Sequence, residues 1–181
     1  MKHLSILALV LTFSAPRIHA QQVQPIPVWM IDSGTAINSP MNLQPGTSTV
    51  DVTSSGHSSL GPYTFHLVQA GGPVPMPTAT CGGALLNFPQ VSGAGVYRFQ
   101  DGSLLTVKLK EGSICVDLVA GNAKVTGTFQ ITGGTGVFKG ASGTLTGTAL
   151  STPVLFDSAM TPVFFAVSGE STGTLVLSNN S

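Results

Sequence analysis

Charge is what this chain has least of. Lys and Arg number seven, Asp and Glu seven, and together they make up 8% of 181 residues. Lys2 and Arg17 fall within the first 20 residues. The rest keeps Arg98, Lys108, Lys110, Lys124 and Lys139 against all seven acids, a net charge of about −2. No basic stripe exists and aromatics are not interleaved with cations, which excludes a nucleic-acid surface. Histidine is as sparse: beyond residue 20 only His57 and His66 remain, away from any Cys or carboxylate cluster, so no metal set is present. Gly133 to Gly136 lacks the lysine and the βαβ setting of a phosphate loop. No G-x-S-x-G elbow occurs, and no repeat of roughly 20 to 50 residues is visible. These absences leave no cofactor to predict.

Long apolar runs are missing too. Leu4 to Ala15 covers about 12 residues, short of the roughly 20 that span a bilayer as a helix. With Lys2 and His3 before it and Ile18-His19-Ala20 after it, the run reads as a secretion signal over 1–20. The mature chain would start at Gln21, periplasmic or extracellular. There, Cys81 and Cys115 either pair, for about 3–4 kcal/mol on the chain-entropy model, or stay two separate buried thiols.

What is present is glycine, threonine and alternation. Residues 21–46 carry Pro25, Pro27, Pro40 and Pro45 among Gln and Asn, and read as an extended arm pinned by Trp29. Residues 47–181 read as one domain of period two. Tyr63, Phe65 and Leu67 share a face, as do Tyr97 with Phe99, and Leu105, Val107 with Leu109. Ile114, Val116 and Leu118 follow a turn expected at Glu111-Gly112. Val125, Gly127, Phe129 and Ile131 face inward, with Thr126, Thr128 and Gln130 outward. Val163–Val167 and Thr174–Leu177 supply two last strands. Asp101-Gly102 is a hairpin signal. No amphipathic helix is convincing, and the fold class is all-β.

The segment Thr132-Gly-Gly-Thr-Gly-Val-Phe-Lys-Gly-Ala-Ser-Gly143 reads as strand end, glycine corner, one helical turn capped by Thr135, then strand. It resembles the GGTG-x-F-x-G-A-x-G signature of the allene oxide cyclase and dirigent barrels, and more closely that of a set of uncharacterised secreted bacterial β-barrel proteins. Ser55 to Gly61 and Phe99 to Leu104 resemble two further elements of that set. The resemblance spans roughly residues 50 to 150 and implies an antiparallel, closed, eight-stranded barrel. It carries no activity to these residues.

The acids do not read as catalytic. Asp101 and Glu111 are turn residues, Asp117 lies opposite Ile114 and Val116, and Asp51 lies between Val50 and Val52. The expected function is non-enzymatic: a secreted small barrel that binds an apolar small molecule, or a stable scaffold. Its candidate lining is Tyr63, Phe65, Tyr97, Phe99 and Phe129, with His57 at the mouth. The alternative is an isomerase or cyclase-like enzyme of the allene oxide cyclase/dirigent type. Such an enzyme needs at least two inward polar groups within hydrogen-bond reach. Outward Thr, Lys and Gln argue against an outer-membrane barrel.

Overall fold

The structure, a computed structural model, describes residues 24–39, 46–72, 76–77, 81 and 86–178. The expected secretion signal lies outside them.

Alternating sequence makes the strands, and their order closes them. The elements are β1 (Ile26–Ser39), β2 (Ser48–Ser58), β3 (Gly61–Gly71), a two-residue β4 (Met76–Pro77), β5 (Leu86–Phe99), β6 (Leu104–Asp117), β7 (Asn122–Gly134), β8 (Ser142–Phe156) and β9 (Pro162–Val176). A 3-10 turn, Gly136–Phe138, lies between β7 and β8. The hydrogen-bonded order is β3-β2-β1-β9-β8-β7-β6-β5, and β3 also pairs with β5. Every one of these pairings is antiparallel. Eight strands therefore form a closed barrel, with β4 added against β5. Closure leaves none of the eight with an unpaired backbone edge.

Three expectations change. The arm is not an arm: residues 26–39 form β1, which pairs along its length with β2 and β9. The barrel thus begins well before residue 47. Its inward residues Val28, Met30 and Ala36 are buried, whereas Trp29 is outward and half exposed rather than a pin. Prolines flank or start this strand, where the missing N–H is tolerated.

Glu111-Gly112 is not a turn between strands. β6 runs through it, and the register with β7 shifts between Leu109 and Glu111. The bulge changes the parity, so Leu105, Val107 and Leu109 face inward before it, and Gly112, Ile114 and Val116 after it. Leu118 lies past the strand and is exposed. Finally, the two last strands are one, β9. Two pairs of expected strands thus merge, into β6 and β9, while β1 is gained, and the barrel has eight.

The barrel has two unlike halves. Val28, Met30, Tyr63, Phe65, Tyr97, Phe99, Leu105, Val107, Ile131, Leu145 and Leu175 pack into one cluster around Phe138. Toward the other end, Val52, Ile114, Val125 and Val167 share the inward parity yet are only half-buried. The inward positions of that half are mixed, since Ala36, Gln69, Gln90 and Ser151 are buried there while Ile114, Val125 and Val167 are partly exposed. Small inward residues, Gly34, Gly93, Gly112, Gly127 and Ala149, alternate with them in the register.

The glycine corner closes the packed end. Gly136 has φ 58°, and a Cβ there would collide with Ser103 Oγ. Ser103 Oγ instead accepts from Val137 N at 3.2 Å. Thr135 makes no side-chain cap; its Oγ1 accepts from Leu104 N at 3.1 Å. The corner is thereby tied to the β5–β6 hairpin, and the Phe138 ring reaches Phe99 with centroids 4.7 Å apart.

Candidate functional site

A carboxylate sits at the edge of the packed cluster, two residues beyond Met30 on β1. Asp32 follows Val28 and Met30 on the inward parity of β1, so the alternation that buries those two also turns Asp32 inside. Its register neighbours are Gly56 on β2 and Gly169 on β9. A Cβ at Gly56 would stand 2.8 Å from Asp32 Cβ, and one at Gly169 would stand 3.3 Å from Asp32 Oδ1. Glycine on both sides leaves the carboxylate room and makes it reachable.

Two hydroxyls converge on it. Ser54, buried on β2, donates from Oγ to Asp32 Oδ2 at 2.7 Å. Tyr63, paired with Gly56 on β3, donates its phenol O–H to Asp32 across that glycine. The Tyr63 and Asp32 backbones lie two strands apart, about 10 Å. A tyrosine and an aspartate side chain together bridge that gap only if nothing stands on the strand between.

Burial raises the Asp32 pKa above the usual carboxylate range, and the hydrogen bonds from Ser54 and Tyr63 pull the other way without cancelling it. The Tyr63 phenol is raised by burial first, then by the charge on Asp32 and by the bond it donates there. Tyr97 is raised by burial, then by its neighbours Tyr63 and Asp32. A carboxyl held nearer to protonation, beside phenols held protonated, can accept from or donate to one polar group of a guest.

The expected lining residues divide. Tyr63, Phe65, Tyr97 and Phe99 are all buried and face inward. Phe65 stacks on Tyr97 at 4.1 Å, and Tyr63 meets Tyr97 at 5.4 Å and Phe99 at 6.1 Å. They form a mutually packed aromatic cluster. Phe129 is partly buried and lies across Gly127. His57 stands apart: it is exposed on the outward parity of β2, across from Ile31 and Pro62. His66, also outward, bonds Asp51 Oδ1 at 2.8 Å. Cys81 and Cys115 are bonded, with Cα atoms 5.5 Å apart, joining the segment before β5 to the outer face of β6. Among the described residues, no three His, Cys, Asp or Glu side chains gather.

Asp32 is not among the expected site residues, because an extended arm over 21–46 assigns it no inward face. The signal was there: Val28, Met30, Asp32, Gly34 and Ala36 alternate with Trp29, Ile31, Ser33, Thr35 and Ile37. A concavity of about 460 Å³ is lined by Asp32, Ala149 and Gly169 together with the outward Ile31, Lys124, Thr148, Leu150, Ser168 and Glu170. No helix among the described residues is long and apolar enough to cross a membrane.

No family model and no curated protein matches this chain. Among solved structures, the chain is similar to a dirigent protein, a pterocarpan synthase. The two are 12% identical, the match covers 93% of this chain and 100% of that one, and the TM-score is 0.27.

Proposed function

We propose that this chain is a secreted small-molecule barrel that takes an apolar guest beside its aromatic cluster and contacts it through Asp32. The observation that carries this is Asp32 itself, an inward carboxylate that two hydroxyls orient between two glycines beside the aromatic cluster. A solid scaffold has no use for it, since burying a carboxylate is costly unless something is gained. Tyr63, Phe65, Tyr97 and Phe99 supply the apolar floor, and Phe129 a side wall. The guest would be mostly hydrocarbon or aromatic, with one hydroxyl or N–H directed at Asp32. The Cys81–Cys115 bond supports an oxidising compartment.

Native mass spectrometry of the protein taken from its own host tests this. A co-purifying mass is expected on the wild type and not on Asp32→Asn. Retention of the same mass by Asp32→Asn removes the carboxylate from the reading.

A second reading has its own support. Asp32, Ser54 and Tyr63 meet the requirement of inward polar groups within hydrogen-bond reach, and the raised pKa of Asp32 suits proton transfer in an isomerase or cyclase. Incubating the recovered guest with the protein in D2O separates the two readings. Isomerisation or deuterium uptake that Asp32→Asn abolishes supports catalysis, and an unchanged guest supports binding alone.

A further inference from the structure

A second inward polar group lies on β5, three strands round the wall from Asp32 on β1. Gln90 on β5 pairs with Gly71 on one side and Gly112 on the other, and the row continues through Gly127 and Gly147 to Ser171 on β9. Three consecutive strands thus present glycine between the Gln90 amide and the Ser171 hydroxyl. Phe129 leans over Gly127, and Leu109 over Gly112 and Gly127. These two side chains fill the space over the row.

Gln90 is 8% exposed, with its Cβ 3.3 Å from a Cβ built at Gly112 and its amide Nε2 3.2 Å from one built at Gly71. Its amide N–H donates to the Phe88 carbonyl at 3.3 Å. Its amide carbonyl Oε1 is buried and has no partner. Such an orphan acceptor costs stability, so a residue with the same shape and no amide would serve packing better. A ligand donor is the partner its position invites.

We infer that Gln90 is a second ligand contact, and that the guest carries hydrogen-bond donors at both ends of an apolar body. This rests on the guest-binding reading above. One donor meets the Asp32 carboxylate at the floor, and the other meets Gln90 Oε1 higher on the wall, once Phe129 swings off the row. The ligand class is an elongated diol, diphenol or similar two-headed molecule, rather than a fatty acid with one polar end. No bond is made or broken.

The test uses the full mature chain and two probes, 1,8-octanediol and 1-octanol, titrated by calorimetry into wild type, Asp32→Asn and Gln90→Met. Met keeps the volume of Gln and removes the carbonyl. The diol should bind about tenfold tighter than the mono-ol, the worth of one hydrogen bond in a dry site. Gln90→Met should erase that preference while leaving the mono-ol affinity alone, and Asp32→Asn should weaken both. Equal affinities in the wild type, or a preference that survives in Gln90→Met, overturn the role of Gln90 while the guest-binding reading stands on its Asp32 dependence. If neither alcohol binds, or neither depends on Asp32, both fall together. Should Gln90→Met not fold, Gln90→Asn, one methylene too short to reach, answers the same question.

Discussion

The Tyr63 phenol reaches the Asp32 carboxylate over the bare backbone of Gly56, three residues in one register row on three neighbouring strands. The polar contact therefore depends on the absence of a side chain between its two partners.

Gly56→Ala removes that absence. A Cβ there would collide with the Ile31 carbonyl oxygen and stand 2.8 Å from Asp32 Cα. Backbone cannot yield as a flexible side chain can, so a loss of about 1–3 kcal/mol is expected. Urea unfolding compared with Gly61→Ala, which has open space around it but a φ of 111°, distinguishes crowding from backbone strain. A wild-type midpoint for Gly56→Ala would contradict the geometry.

Asp32 should make the fold weaken as pH rises. Its folded pKa is raised, so its contribution is full below the unfolded value of about 3.9 and is lost as pH climbs through the folded value. Asp32→Asn lacks this titration. The wild-type stability relative to Asp32→Asn should therefore fall across that window. Wild type gaining on the variant with rising pH would reverse the sign.

Tyr63→Phe removes one of the two donors that hold the Asp32 pKa down. The carboxyl should titrate higher still, and carbon NMR of the Asp32 side chain reads this directly. Ser54→Ala should move it the same way. No movement in either variant means the hydroxyls do not reach the carboxylate in solution.

Replacing both Cys81 and Cys115 by Ser opens a loop with a sequence separation of 34. The expected loss is about 4 kcal/mol on the chain-entropy model. Denaturation of the wild type with and without reductant gives the same comparison without substitution.

Phe138→Ala should cost about 3–5 kcal/mol, since the ring is 4% exposed and fills the packed end against Phe99. Its effect belongs to the floor, so a thermal melt should shift strongly, while Val137→Ala beside it, on an exposed side chain, should hardly move.

Alternation is a local property of the chain, and the strands from Tyr63 to Ile131 were legible for that reason. Tyr63, Phe65 and Leu67 point one way because successive side chains must, whatever surrounds them. The corner at Gly133 to Gly143 was legible too, because positive φ at Gly133, Gly136, Gly140 and Gly143 narrows the residues that fit. Residues 26–39 do not announce a strand, because Pro25 and Pro27 at its start and Pro40 and Pro45 beyond it weigh against one until its neighbours are known.

Closure was not local. Asp32 became part of a site when β1 took its place between β2 and β9, setting glycines beside it and Ser54 and Tyr63 within reach. Residues 22 and 31 positions away along the chain meet there through sheet register, and register is fixed by the whole ring of strands, not by any one of them. The parity after Lys110 likewise turns on a bulge that alternation does not announce. Chain chemistry made the strands, and the geometry of their joining chose which few polar groups face the same space.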